Sequence, residues 1–231
     1  MKFILENLIG IVSITILTLN TIILSCLLIP LGLIKFFLPI TNIKVLFTKF
    51  IINIGELWIF TNKIWVKALH KPNWEIIGKE NIKSNGWTIA TSNHQSFADI
   101  FLLQDITNMK MPMLKFFMKY VLIYVPIIGL SWWALDMPFL KRYTKKQLEK
   151  NPKLVGKDVK EMKRALKHYS LYPVTVFSFA EGTRFTVKKH RNQNSPFDNL
   201  LKPKEGGLAT ALSLVNKIDS LIDFTIKFCL L

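Results

Sequence analysis

One uncharged segment near the N-terminus restricts most strongly how this chain can fold. Asp, Glu, Lys and Arg are all absent from the 28 positions between Asn7 and Ile34. As an α-helix, this segment would be about 42 Å long, longer than the roughly 30 Å hydrocarbon core of a bilayer. We therefore predict a membrane anchor over residues 1–40, with a helix from about Leu8 to Ile29.

Pro30 and Gly32 lie near the end of this segment. Because proline removes a backbone donor and clashes with the preceding turn, we predict a break there, followed by a second apolar piece over residues 31–38. A re-entrant hairpin is the alternative to one spanning helix.

Two processing events are alternatives to a retained anchor. A cleaved signal peptide would begin with a basic cluster, whereas this N-terminus holds Lys2 and Glu6. Residues 23–26 weakly resemble a lipoprotein cleavage site, but the apolar run continues past Cys26. The retained anchor fits both observations better.

The residues after the anchor predict its orientation. Three lysines follow its uncharged segment, at Lys35, Lys44 and Lys49. Positive charge favours the cytoplasmic side, so we expect the rest of the chain to lie there. Over residues 41–72 we predict an amphipathic interfacial helix, with Trp58 and Trp65 at the headgroup boundary. The same pattern is typical of a helix that covers a soluble core.

The net charge and the cysteines exclude several classes of protein. The charge is +16, from 31 basic and 15 acidic residues, and the excess is mostly lysine. This surplus is compatible with acidic lipid headgroups or with a solvated lysine-rich surface, and the basic clusters accompany no nucleic-acid-binding module. Cys26 and Cys229 lie far apart in the sequence, so neither a disulfide scaffold nor a cysteine-based metal site is expected.

Beyond residue 72, short apolar segments alternate with helical patterns. We predict strands over residues 74–77, 87–92 and 174–179, and helices from about residue 96 and over 158–168 and 207–215. Alternating strands and helices indicate an α/β layer architecture, and we assign residues 73–231 to one domain.

His94 and Asp99 are the first residues with a clear chemical role. His94 follows a predicted strand, and Asp99 lies five residues later, in the first turn of a predicted helix. Across a strand-to-helix turn the two side chains can meet, leaving one imidazole nitrogen to accept a proton from a hydroxyl. The alternative for His94 is a capping or core histidine. Since no Gly-x-Ser-x-Gly motif accompanies the pair, we expect the hydroxyl to belong to the substrate.

A second motif follows the strand predicted over residues 174–179. Its sequence is Phe179-Ala180-Glu181-Gly182-Thr183-Arg184. Glycine permits a tight loop, the Thr183 hydroxyl and backbone amides can hold phosphate oxygens, and Arg184 offers a bidentate fork. We expect Glu181 to pair with Arg184 and orient it.

Together, Asn-His-x4-Asp and Phe-x-Glu-Gly-Thr-Arg resemble the motifs of glycerolipid acyltransferases, the PlsC-like family typified by bacterial 1-acyl-sn-glycerol-3-phosphate acyltransferase. The resemblance covers about residues 74–211 and includes Gly78-Lys79-Glu80-Asn81. It implies an α/β domain of the glycerol-3-phosphate-acyltransferase type behind the N-terminal transmembrane or re-entrant helix.

The same resemblance assigns roles to individual residues. It implies that His94 is the general base and that Asp99 orients it. The residues implied to bind the phosphate of the acceptor are Glu181, Gly182, Thr183 and Arg184. A stretch ending at Arg142 resembles the intermediate block of the family and makes Arg142 a further phosphate ligand, with a solvated basic turn as the alternative. The apolar segment 114–133 would line an acyl tunnel, face the bilayer or lie in the core.

Two departures from the family pattern stand out. Ala180 replaces a proline, which changes the rigidity of the loop but removes no chemical group. The chain also lacks the Val-Pro of a fourth block that follows the helix near residues 207–215. On this basis we expect a C-terminally truncated domain without that strand and its covering helices.

The resemblance implies a membrane-bound enzyme of phospholipid biosynthesis. It would move a fatty acyl group from acyl-CoA or acyl-ACP to the free hydroxyl of lysophosphatidic acid, without metal or cofactor. The expected location is the inner membrane, with the active domain on the cytoplasmic side. The alternatives are another lysophospholipid acceptor, and a truncated, inactive remnant that is only membrane-associated.

Overall fold

The computed structural model describes residues 2–82, 85–141, 143, 145–154, 156–215 and 217–228. The chain forms two compact units. The helical unit comprises residues 1–83, 104–110 and 121–136, and the sheet unit comprises residues 84–103, 111–120 and 137–231.

Helices and strands alternate along most of the described chain, which confirms the predicted α/β class. The helices are α1 (Lys2–Phe37), α2 (Thr41–His70), α3 (Ala98–Thr107), α4 (Ile128–Ala134), α5 (Lys145–Lys150), α6 (Lys157–Leu166), α7 (Val187–Gln193) and α8 (Glu205–Leu214). The strands are β1 (Thr88–Ser92), β2 (Leu114–Phe116), β3 (Met118–Lys119), β4 (Phe139–Leu140), β5 (Thr175–Phe179) and β6 (Ser220–Phe224). Short 3₁₀ helices cover residues 79–81, 120–124, 152–154 and 167–170.

Helix α1 continues through Pro30, so the predicted break is wrong. The packing of its C-terminal half supplies the reason. Ser25 and Leu28 are buried before the proline, and Gly32 meets α4 after it. Contacts on both sides of Pro30 hold the helix in line and offset the lost backbone hydrogen bond.

Polar side chains of α1 face the other helices of its unit. Ser13 hydrogen-bonds to His70 (2.8 Å), Asn20 to Asn62 (2.8 Å), Thr21 to Trp58 (3.1 Å), Ser25 to Ser131 (2.7 Å) and Lys35 to Asp136 (2.8 Å). This series of contacts pairs α1 with α2 and α4 and fixes the rotation of each helix. Polar groups satisfied between helices are typical of bundles that have apolar surroundings.

The outward faces of the same helices are apolar. Large exposed hydrophobic residues include Phe3, Leu8, Ile11, Leu19 and Ile23 on α1 and Leu46, Phe50, Leu57, Phe60 and Ile64 on α2. By length and composition, residues 3–37 are sufficient to cross a membrane. An apolar exterior around an interior that holds polar contacts as well as apolar side chains differs from the pattern of water-soluble helices.

Gly32 allows α1 to approach α4 closely. A Cβ atom at this position would lie 2.5 Å from the Cβ of Ala134, whereas a Cβ at Gly10 would meet nothing within 4 Å. We therefore expect Gly32→Ala to lower the free energy of unfolding by about 1–3 kcal/mol, because the helices must separate.

The matched control is Gly10→Ala, which should leave stability unchanged or raise it by up to about 1 kcal/mol through helix propensity. Thermal unfolding of the detergent-solubilised protein measures both variants. Equal midpoints for the two variants would show that the close approach at Gly32 does not stabilise the unit.

The sheet unit is built on four parallel strands in the order β2-β5-β1-β6. Strand β1 is buried along its whole length, as expected of a central strand that is covered on both faces. All four carboxyl ends lie at one edge of the sheet, and loops at this edge carry functional side chains in open parallel sheets. A separate parallel pair joins β3 to β4.

Strand β6 corrects the expectation of a missing strand. It follows α8 and pairs in parallel with β1 over residues 220–224. Three hydrogen bonds that involve side chains join the two segments: Thr88 bonds to Ser220, Thr91 donates to Asp223, and the Trp87 backbone amide donates to Asp219, just before β6. The sheet therefore has the strand that the absence of Val-Pro had suggested was lost.

Four of the other predicted elements are confirmed, and one is wrong. The strands near residues 87–92 and 174–179 are confirmed as β1 and β5, and the helices near 158–168 and 207–215 as α6 and α8. The strand over residues 74–77 is wrong, since none of the described strands pairs with it and Ile77 is 91% exposed. Without a neighbouring strand, a short apolar run cannot satisfy its backbone.

Candidate active site

The candidate site lies at the carboxyl ends of β1 and β5. Ser92, the last residue of β1, is paired in register with Phe179, the last residue of β5. The loops that follow, residues 93–97 and 180–186, therefore start side by side. Two backbone hydrogen bonds join them, from Ala180 to Ser92 (2.9 Å) and from Phe185 to His94 (2.7 Å).

Ala180 has a specific function at this junction. Its backbone N–H is the donor to Ser92, and a proline has no such donor. The departure from the family pattern thus gives this chain a backbone bond between the loops in place of a rigid ring.

His94 and Asp99 meet as the sequence predicts. The Nδ1 atom of His94 lies 2.8 Å from Oδ2 of Asp99. The backbone amides of Gln95 and Ser96 donate to the same oxygen, at 2.7 and 2.9 Å. Asp99 is completely buried at the start of α3, where a carboxylate also stabilises the helix N-terminus.

This arrangement selects one tautomer of His94. The Asp99 carboxylate can only accept, so Nδ1 carries the proton and Nε2 retains its lone pair. The second oxygen of Asp99, Oδ1, is buried with no hydrogen-bond partner among the described residues. The carboxylate is thus placed to stabilise a proton that arrives on the imidazole.

Phe179 fixes the plane of the His94 ring. The two rings are stacked, with centroids 3.8 Å apart and planes 11° apart. Because Asp99 holds Nδ1 and Phe179 covers one face, the imidazole has little rotational freedom. A base that is held in place before the substrate binds loses less entropy during catalysis.

Glu181 connects the two loops from a buried position. Its Oε1 accepts the backbone N–H of His94 at 2.9 Å, and its Oε2 accepts that of Leu201 at 2.8 Å. Only 2% of the residue is exposed. The expected pairing with Arg184 is wrong: the carboxylate accepts these two backbone amides, and the Arg184 guanidinium lies against the Phe97 ring instead.

The remainder of the second motif forms a tight turn. Gly182 has a φ of 66°, a conformation that favours glycine, and its N–H donates to the Phe179 carbonyl at 2.9 Å. The Arg184 guanidinium lies 3.6 Å from the centre of the exposed Phe97 ring. This cation–π contact holds the positive charge against the His94 loop.

The other predicted positions have different outcomes. Arg142 and Cys229 lie outside the described residues. The apolar segment 114–133 does not form one element: it contains β2, β3, a 3₁₀ helix and most of α4.

The structure also identifies residues that the sequence analysis missed. The side chain of Asn93 exchanges two hydrogen bonds with the backbone of Ile226, at 2.8 and 2.7 Å, and so ties the segment after β6 to the site. Lys115 is completely buried on β2. Buried lysines are rare, and a single charge inside the apolar run 113–118 was the signal that could have found it.

The chain matches the family described as Acyltransferase over residues 73–225. It belongs to this acyltransferase family. The match includes both motifs of the site, so the paired His94 and Asp99 and the turn at residues 181–184 are parts of an acyltransferase domain.

Curated relatives agree with this assignment. 1-Acyl-sn-glycerol-3-phosphate acyltransferase delta from Homo sapiens is 34% identical over 125 positions, which cover 49% of this chain and 30% of that protein. 1-Acyl-sn-glycerol-3-phosphate acyltransferase 3 from Arabidopsis thaliana is 28% identical over 198 positions, or 75% of this chain and 48% of that protein. The chain thus spans less than half the length of these relatives.

A solved structure is similar over most of the chain. It is the 1-acyl-sn-glycerophosphate (LPA) acyltransferase PlsC from Thermotoga maritima, at 18% sequence identity and a TM-score of 0.45. The superposition covers 95% of this chain and 85% of the Thermotoga protein.

The position of Glu181 predicts a large effect on stability. Glu181→Ala would leave the buried amides of His94 and Leu201 without acceptors. We expect the free energy of unfolding to fall by about 2–4 kcal/mol, because each lost charge-assisted hydrogen bond costs about 1–3 kcal/mol.

Denaturant unfolding in detergent, followed by tryptophan fluorescence, measures this effect. Asp198→Ala is the control, since Asp198 is an exposed carboxylate in the same unit. If both variants unfold at the same denaturant concentration, Glu181 is not the link between the loops.

Proposed function

We propose that this protein is a membrane-bound 1-acylglycerol-3-phosphate O-acyltransferase. It transfers a fatty acyl group from a thioester donor to the free hydroxyl of lysophosphatidic acid. The observation that carries the proposal is the 2.8 Å contact between His94 and Asp99, adjacent to the Glu-Gly-Thr-Arg turn. The names of the relatives support the same acceptor.

The chemistry follows from the tautomer of His94. Its Nε2 takes the proton from the acceptor hydroxyl while the oxygen attacks the thioester carbonyl. A carbon–oxygen bond forms, the carbon–sulfur bond breaks, and His94 returns the proton to the leaving thiolate. Asp99 stabilises the transient imidazolium and stays ionised. The substrate supplies its own nucleophile, so no acyl-enzyme intermediate is required.

Arg184 and Thr183 support recognition of the acceptor phosphate. A guanidinium presents a planar fork that matches two phosphate oxygens, and a hydroxyl adds a third contact. Gly182 lets the backbone of the turn approach a ligand closely. In this arrangement Glu181 acts indirectly, by holding the turn beside His94. Arg142 remains proposed as a second basic ligand on the strength of the family resemblance.

The donor is proposed to be acyl-CoA or acyl-ACP, since either supplies the thioester that the chemistry needs. Another lysophospholipid would satisfy the same site if it presents a phosphate next to a free hydroxyl. The contacts that orient His94 disfavour an inactive remnant, since its Nδ1 and the backbone amides of Gln95 and Ser96 all meet one buried oxygen of Asp99.

The helical unit supports a membrane location. Its apolar exterior and its internal polar contacts suit a bilayer, and α1 has the length to span one. Lys35, Lys44 and Lys49 favour a cytoplasmic orientation for the residues that follow, with the inner membrane as the proposed site.

Substitution of the base tests the chemistry. Membranes that contain the full chain but lack background acyltransferase should transfer labelled acyl groups to lysophosphatidic acid. His94→Ala should lower the turnover by about 10²–10⁴-fold because it removes the base, and Asp99→Asn by a comparable factor because the imidazole loses the carboxylate that orients it.

His168→Ala serves as the control, because His168 is exposed and lies outside the site. Retained turnover in His94→Ala would refute the proposed mechanism. Absent turnover in the inserted, folded wild-type protein would favour another acceptor, which a screen of lysophospholipids would identify, or the remnant.

Membrane insertion is a separate prediction. After an alkaline carbonate wash, we expect the full chain to stay in the membrane pellet, because peripheral proteins are released and a spanning helix is not. Protease should cut the catalytic domain in inverted vesicles but not in intact spheroplasts. Release by carbonate would contradict the anchor, and cleavage in spheroplasts would contradict the orientation.

A further inference from the structure

Lys189 lies beside the motif of residues 181–184 but outside it. Its Nζ donates to the hydroxyl oxygen of Thr183 and to the carbonyl oxygen of Arg184, both at 2.8 Å. The preceding residue, Lys188, is exposed, whereas Lys189 is partly buried. The two adjacent lysines therefore differ in burial and in contact with the turn.

The start of α7 holds Lys189 in this position. Thr186 caps the helix, and its hydroxyl oxygen accepts the backbone N–H of Lys189 at 3.2 Å. Lys189 is thus held at its backbone N–H by the Thr186 cap and at its ammonium by Thr183 and Arg184. A cap of this kind fixes the direction of the first helical turn, from which the Lys189 ammonium reaches Thr183.

The contact determines what the Thr183 hydroxyl can do. An ammonium has only donors, so the Thr183 oxygen must accept from it. The single proton of the hydroxyl then remains available for another acceptor. A hydroxyl that accepts from a cation is also a stronger donor, because hydrogen bonds in a chain polarise one another.

We propose that Lys189 is a positioning residue for the phosphate of the acceptor. It commits the Thr183 hydroxyl to donate to a phosphate oxygen and adds a second positive charge to that of Arg184. The ligand class is a phosphate monoester, because a dianion gains most from two cations and an aligned donor. This inference rests on the proposed function, in which Thr183 and Arg184 bind that phosphate.

Kinetics distinguish this role from simple bracing of the loop. Lys189→Met should raise the KM for lysophosphatidic acid about tenfold and leave kcat within about twofold, since binding is lost without loss of the base. Lys189→Arg should recover most of the affinity, because it restores the charge and the donors. Lys188→Met is the matched control and should resemble the wild type.

A double-mutant cycle tests the link to Thr183. If Lys189 acts in part through this hydroxyl, Lys189→Met should raise the KM for lysophosphatidic acid by a clearly smaller factor in the Thr183→Val variant than in the wild type. Independent, multiplicative effects on KM would contradict the link.

Failure of the proposed function and failure of the Lys189 inference give different results. A wild type without turnover on lysophosphatidic acid defeats the proposed function, and equal KM values for Lys189→Met and Lys188→Met defeat this inference alone. The rise in unfolding temperature with added lysophosphatidic acid needs no turnover. If that rise is the same in the wild type and Lys189→Met, the inference is overturned; a smaller rise in the variant supports it.

Discussion

The parallel pairing of β1 with β5 is the constraint on which the site depends. Because Ser92 is in register with Phe179, the loops after the two strands begin next to each other. Glu181 then closes the junction by accepting the backbone amides of His94 and Leu201. A shift of the register by one residue would turn Phe179 away from the imidazole and place Glu181 out of reach.

The carboxylates and the cations of this site make different kinds of contact. Buried carboxylates hold the backbone: Asp99 accepts two amides besides the imidazole, and Glu181 accepts two more. Cationic groups stay at the rim, where Arg184 rests on Phe97 and Lys189 holds Thr183. The carboxylates thus stabilise the loops through backbone amides, while the two cations lie closer to the surface. This separation supports the proposed phosphate site, because a bound anion would contact the cations and leave the carboxylates with their own donors.

In the helical unit, polar contacts between helices specify the packing, because the exterior is apolar. Asn20, Ser25 and Lys35 find their partners within the bundle, so the polar groups are not exposed to the surroundings. Such contacts specify which helix faces meet when burial of apolar surface no longer distinguishes them. The close approach of α1 and α4 at Gly32 also specifies which helix faces meet. These interactions also explain why Pro30 does not break the helix, since neighbouring helices support both of its sides.

Sequence alone sufficed to predict the apolar length of α1, the strands β1 and β5, and the two motifs that contain His94, Asp99 and the Glu-Gly-Thr-Arg turn. These features depend on local composition and periodicity, which a single chain reveals directly. The position of each strand in the sheet, including β6 beside β1, depended on partners distant in sequence. The same holds for the roles of Glu181, Asn93 and Lys189, because any carboxylate, amide or ammonium can bond to many groups. Only the folded chain decides which groups come within hydrogen-bonding distance, and that choice turned Glu181 from an expected partner of Arg184 into the link between two loops.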